Sequence, residues 1–249
     1  MVNLYYFTSA EYAKSNIENN RIRISRFLEL NDPFELLGVN LGNKETRKKF
    51  RDLKKQLNEK EGLICLSRNW RNPLMWGHYA NQHKGIVLGF EVKKTLCKKV
   101  EYKSKLIDPP KNPSTNSLND FMDQLKVIKF EDWKYENEVR VIQKLFENVC
   151  IKDGKHYFRK FNDDFILKEV IFGQNCTKKN KDKIHDILNE RNSTVKIIPS
   201  RIAFTRFEVL TNQAATNADK KLEDDLKNIS DCLPLNYILV KSLLVKPRG

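Results

Sequence analysis

Two short stretches and one turn hold the side chains of this sequence best placed to do chemistry. In WKYENEVRV at 133–141, Glu136 and Glu138 stand one pleat apart and Arg140 one pleat further on. In a strand all three share one face while Val139 and Val141 share the other. Two carboxylates that close repel, so one is expected to hold a raised pKa while Arg140 anchors the other. That arrangement suits acid–base work or stabilisation of a developing cation; the same spacing also serves a solvated face with cross-strand ion pairs. NPLMWGHYANQHKGIVLGFEV at 72–92 gathers Trp76, His78, Tyr79, Asn81 and His83 directly ahead of an apolar strand. Such rings can stack on a base and donate hydrogen bonds, or plug a core. In NDPFE at 31–35, Asn31 and Asp32 ahead of Pro33 carry ordinary turn chemistry, which leaves the loop free to touch a ligand as well.

Other chemistries lack their signatures. Neither GxGxxG nor GxxxxGK[ST] occurs, and GxSxG and HExxH are missing too. The four histidines are dispersed, and His78 and His83, five apart, suit neither one helix face nor one strand face, so no metal is expected.

The elements that must position these residues follow from periodicity. Strands are expected at 3–7, 21–27, 62–67, 85–92, 135–143 and 165–173, with one or two more up to residue 210. Helices are expected at 9–20 (capped by Thr8 or Ser9, with Ala10, Ala13 and Ile17 inward), 44–61, 118–130 and 178–192. Residues 74–84 read as a short helix or turn. The Pro-rich segment 103–117 reads as a loop. Helices and strands intermix without a βαβ rhythm, so the class is α+β. The expected architecture is small split mixed or antiparallel sheets flanked by helices, one domain at 1–210, and an appendage at 211–249 with a helical run at 218–233 and an apolar stretch at 237–245.

Charge suggests a partner without naming a reaction. The 46 Lys and Arg exceed the 32 Asp and Glu by 14, which makes an anionic partner the first to consider. The helix at 44–61 sets Phe50, Leu53 and Leu57 on one face and Lys48, Lys49, Arg51, Lys54 and Lys55 on the other, a candidate nucleic-acid-binding face. Lysine, asparagine and isoleucine are all abundant, so genome composition and solubility also account for the charge. No secretory leader and no run of roughly 20 apolar residues is found. Five scattered cysteines without a CxxC pair suit a reducing compartment, so a cytoplasmic, membrane-free location is expected.

The order LYYFTS, NDPFE, GLICLS, LMWGHYANQHKGIVLGF, WKYENEVR and LKEVIFGQN, over roughly residues 3–210, resembles an uncharacterised bacterial family, domain-of-unknown-function family 2971. The central LMWGHYAxxHKGxxxGF string is its most specific part. More distantly, the layout resembles ADP-ribosyltransferases of the DNA-targeting toxin type. That resemblance implies an ADP-ribosyltransferase-like core with NAD as substrate in a cleft between two small sheets. It makes Glu138 the catalytic carboxylate, with Glu136 orienting the nucleophile. Tyr5 or Tyr6 falls at the first-strand position where that superfamily carries His or Arg. Asn31, Asp32, Trp76, His78, Tyr79, Glu136 and Arg140 join Tyr5 and Tyr6 as cofactor contacts. The setting implied is a toxin or phage-defence system acting on nucleic acid or another anionic target, with a homo-oligomeric or antitoxin-like partner. The contrasting expectation is a non-catalytic nucleic-acid-binding module built on the 44–61 helix and aromatic stacking.

Overall fold

Hydrophobic alternation and capping chemistry account for most of the elements. The structure, a computed structural model, describes residues 1–110, 115–191, 193–214, 216 and 217. In chain order these form β1 (Val2–Thr8), α1 (Ala10–Glu18), β2 (Arg21–Ile24), a 3-10 turn (Phe27–Glu29), α2 (Lys44–Lys60), β3 (Glu61–Ser67), α3 (Pro73–Tyr79) and β4 (Ile86–Val92). Next come β5 (Cys97–Lys99), β6 (Glu101–Lys103), α4 (Thr115–Leu125), β7 (Ile128–Phe130), a 3-10 helix (Glu131–Glu136) and β8 (Glu138–Lys144). β9 (Cys150–Asp153), β10 (His156–Lys160), β11 (Phe165–Phe172), α5 (Lys178–Glu190), β12 (Lys196–Ile202) and β13 (Val209–Thr211) complete the series. Ser9 caps α1 by accepting from the Tyr12 amide, Asn43 caps α2, Asn72 caps α3 with Pro73 at its first turn, and Thr177 caps α5.

The class is α+β. Eight strands form one mixed sheet in the order β13-β12-β11-β4-β1-β3-β8-β5; β2-β10-β9 and β6-β7 are smaller sheets. β1 and β4 pair in register along their whole length, from Val2↔Val92 to Thr8↔Ile86. β3 and β8 do the same, from Glu61↔Lys144 to Ser67↔Glu138. Between these two ladders β1 meets β3 at one register pair, Tyr5↔Ser67. Beyond it the sheet splits.

Three apolar clusters surround that split. α1 and α5 place Ala13, Ile17, Ile184, Ile187 and Leu188 on one sheet face, against Leu88, Phe90 and Val170. α3 places Met75 and Trp76 on the opposite face, against Phe7, Val87 and Ile171. Beside the sheet, α2 and α4 close over the 27–39 segment through Phe50, Phe121 and Leu125.

Several expectations are corrected. The helix expected at 118–130 ends at Leu125, and Ile128 lies on β7, a three-residue strand too short to show a period. The period-two run expected from residue 135 begins at Glu138. Glu136 closes a 3-10 helix, and Asn137 turns the corner in the left-handed region at φ 46°, which Asn tolerates better than most residues. The strand expected at 21–27 stops at Ile24, and α4 begins inside the expected 103–117 loop. Met1–Leu210 form one compact unit; the helical run at 218–233 and the apolar stretch at 237–245 lie outside the described residues.

The turn after α3 explains the central string structurally. Asn81, Gln82 and His83 take φ values of 45°, 55° and 65° in succession, and the Gly85 amide donates to the Ala80 carbonyl at 2.8 Å. A Cβ on Gly85 would lie 2.2 Å from the Thr8 carbonyl oxygen and 2.7 Å from that of Ala80, whereas one on Gly77 in α3 would meet nothing within 4 Å. G85A is therefore expected to destabilise the chain by about 1–3 kcal/mol, and G77A to stabilise it by about 0.5–1 kcal/mol. Urea denaturation midpoints of the two variants check both signs.

Candidate functional site

The cleft opens where β1 and β3 part. Continuing their antiparallel register beyond Tyr5↔Ser67 would pair Tyr6 and Phe7 with Leu66 and Cys65; instead all four line a cavity of about 260 Å³. Successive strand residues face opposite sides, so a cleft touching Tyr5 and Tyr6 wraps the open edge of β1. Its other walls come from Arg23 and Ser25 after the split, from Glu29, Leu30, Asn31 and Glu35, from Met75 and Tyr79 of α3, and from Lys129, Glu136 and Glu138.

The floor is a buried ionic chain. Arg140 is fully buried, and its guanidinium donates to both carboxylate oxygens of Glu138 (2.9 and 3.1 Å), to both of Glu35 (2.8 and 2.5 Å) and to the Lys126 carbonyl (2.8 Å). All five donor sites of a guanidinium are thereby engaged. Lys129 donates to Glu136 at 2.5 Å and to Glu138 at 3.4 Å, and sits 4.7 Å over the Trp133 ring. The Tyr79 hydroxyl donates to Glu136 at 2.5 Å and accepts from the Asn31 side-chain amide at 3.1 Å. The Glu138 backbone is pinned as well, its amide donating to the Tyr102 hydroxyl at 2.8 Å.

The two carboxylates separate as their environments require. Burial opposes the ionisation of Glu138, but the Arg140 and Lys129 charges outweigh it and bring its pKa down to about 2. For Glu136 burial prevails over Lys129, helped by the Glu138 charge, and its pKa is raised. Burial and the bond to Glu136 push the Tyr79 hydroxyl up, keeping it a donor at neutral pH. Burial followed by the Glu138 charge raises the neighbouring Cys65 thiol, keeping it protonated.

Of the residues singled out in the sequence, Tyr5, Tyr6, Asn31, Tyr79, Glu136 and Glu138 converge on this cleft. Arg140 lies beneath it as a counter-ion. Three others stand elsewhere. Trp76 is fully buried in the core, its indole donating to the Trp70 carbonyl, so it is a plug. His78 is exposed on α3, its ring 5.9 Å from that of Tyr135, outside the cleft lining. Asp32 is buried as the turn acceptor of the Phe34 amide at 2.8 Å. On α2, Lys48, Lys49, Arg51 and Lys55 are exposed, but Lys54 donates to the Glu35 carbonyl at 2.6 Å and fastens the loop rather than facing solvent. Sequence reasoning missed Lys129 and Glu35. Lys129 interrupts the apolar run VIKF, and Glu35 ends the NDPFE motif; each is an ionisable residue whose burial required a partner.

Fold and cleft together describe an α+β protein with a small-ligand-sized cleft at a sheet split, its walls largely apolar and its floor ionic. Residues 75–141 match the model of a family described as protein of unknown function (DUF2971), a segment running from Met75 on α3 to Val141 on β8 and so including Tyr79, Lys129, Glu136, Glu138 and Arg140. No curated protein and no solved structure matches the chain. No helix among the described residues is long and apolar enough to cross a membrane, and among them no three His, Cys, Asp or Glu side chains are grouped to hold a metal ion.

The ionic chain makes two stability predictions. R140M leaves Glu138 and Glu35 buried without their partner and is expected to cost about 3–5 kcal/mol, part of it recovered in R140M/E35Q/E138Q. Glu138 has a folded pKa below its ordinary value of 4.5. Its contribution is therefore complete above about pH 4.5 and is lost as pH falls toward 2. Urea titrations across that window should show a shallower acid slope in E138Q than in wild type.

Proposed function

We propose that the cleft binds the nicotinamide–ribose end of NAD and that the chain transfers ADP-ribose from it to a nucleophile on a nucleic acid or another anionic target. The reading rests on one observation. Glu138, Glu136 and Glu35 face Arg140 and Lys129 in one buried cluster against the cleft, leaving an excess of one carboxylate where a cationic sugar would form.

The cleft supports such a substrate in size and lining. At about 260 Å³ it falls just under the roughly 300–1,000 Å³ of clefts for drug-sized ligands, so it suits one ring with its sugar and leaves the adenosine half outside. Tyr5 and Tyr6 offer ring faces, and Asn31 and Arg23 offer donors at the wall.

In the reaction the bond between ribose C1′ and the nicotinamide nitrogen breaks, and its electron pair leaves with the nicotinamide. The oxocarbenium-like sugar that results gains from a fixed anion, and Glu138, ionised down to about pH 2, supplies one without reorganisation. The incoming nucleophile forms the new bond to C1′. Its proton passes to Glu136, whose raised pKa makes it the better base of the pair and whose position is fixed by Tyr79 and Lys129.

Radiolabelled NAD incubated with the full chain and with DNA, RNA or cell lysate tests the reading. Nicotinamide release with label transfer is expected, falling by about 100-fold or more in E138Q while the circular-dichroism spectrum is retained. No release with any target, or equal rates in a folded E138Q, overturns it.

One further observation favours a second, binding-module reading: Lys48, Lys49, Arg51 and Lys55 stay exposed along α2. Under that reading K48Q/K49Q weakens nucleic-acid binding and reduces its salt slope by about 2, while E138Q changes neither.

A further inference from the structure

The connection from β12 to β13 is built against the usual logic of a surface loop. Phe204 and Phe207 are 88% and 99% exposed, and Leu74 at the start of α3 is also exposed. Leaving a phenylalanine in water forfeits about 1.5–3 kcal/mol of burial, and a patch of such residues marks a contact surface. Arginines are interleaved with the rings. The Arg201 guanidinium lies 5.1 Å from the centre of the Phe204 ring, and Arg206 and Arg71 both contact Glu208. Arg71 and Arg206 share Glu208 and Arg201 has no carboxylate partner among the described residues, so these four side chains carry two excess positive charges. A groove of about 380 Å³, lined by Pro73 and residues 202–208, runs beside them.

We infer that this tip is a binding site for single-stranded nucleic acid, with exposed bases stacking on Phe204 and Phe207 and phosphates meeting Arg201, Arg206 and Arg71. Two exposed π-faces with cations between them are what sequence-tolerant single-strand binding uses, whereas an apolar protein partner has no use for the interleaved charge. The site is distinct from the lysine face of α2. It is also joined to the cleft: the Val209 amide donates to the Arg71 carbonyl at 2.8 Å, and α3, which starts beside the tip, carries Met75 and Tyr79 into the cleft lining. Seven helical residues span about 10 Å, so a strand held at the tip lies within a few nucleotides of the reacting sugar. That link to the cleft rests on the transferase reading; the binding surface itself does not.

Fluorescence anisotropy of labelled oligo(dT) and oligo(U), with a blunt duplex as control, tests the inference on the full chain over a series of salt concentrations. Binding to both single strands in preference to the duplex is expected, weakened about tenfold for each ring removed in F204A and F207A. R201Q/R206Q should reduce the salt slope by about 1.4. Unchanged affinity in F204A/F207A, loss of binding in K48Q/K49Q alone, or self-association or vesicle binding through the two rings without strand binding would each overturn it. E138Q should bind the strands as wild type does, so failure of the NAD chemistry and failure of this site are told apart.

Discussion

A guanidinium with no access to water organises the part of the molecule around the cleft. Arg140 enters on β8 with no exposed surface, and an unpaired charge in such a place would cost several kcal/mol. Its five donors are satisfied by Glu138 on its own strand, by Glu35 from the 31–35 turn and by the carbonyl of Lys126 ahead of β7. Three segments, one of them 105 positions away in the chain, are thus tied to one cation. The turn is held a second time from α2 through Lys54, and the β8 entrance a second time through Tyr102. The cleft walls inherit their positions from these ties.

The ties also set the electrostatics. Because Arg140 is committed to Glu138 on one edge and Glu35 on the other, Glu138 is held ionised, and Lys129 is left to divide itself between Glu136 and Glu138. Glu136 then receives less cationic support than burial demands, and its pKa rises. Opposite shifts in neighbouring carboxylates are the pattern by which one site provides both a fixed anion and a base. The sheet split does the remaining work: had β1 continued to pair with β3 beyond Tyr5↔Ser67, backbone would fill the space the cleft occupies.

Much of this was legible in the sequence where the signal is local. The α1, α2 and α5 stripes, the cap of α1 at Ser9 and the long strands β1, β3, β4 and β11 follow from periodicity and side-chain capping. The carboxylate pair and its Arg140 anchor were legible too, because both are written into ENEVR; the burial that chiefly raises Glu136 was not. What stayed hidden depends on distance in the chain. Lys129 reads as a helix surface residue until β7 buries it. Glu35 reads as the end of a turn until Arg140 reaches it across 105 positions. His78 and Trp76 mislead for the reverse reason: the helical phase of α3 turns Tyr79 into the cleft, Trp76 into the core and His78 to solvent, and a segment of seven residues is too short for that phase to be read without its neighbours. The specific central string records a left-handed turn at 81–83 as much as chemistry.

Two carboxylates of one cleft are driven apart in pKa by their different shares of burial and of cationic support. Carbon-13 NMR titration of the glutamate carboxyl carbons, with E136Q and E138Q used to assign the two signals, measures this directly. Glu138 is expected to keep its charge down to a pKa of about 2, while Glu136 takes up its proton above the ordinary 4.5. Both signals titrating together near 4.5, or in the reverse order, would contradict it.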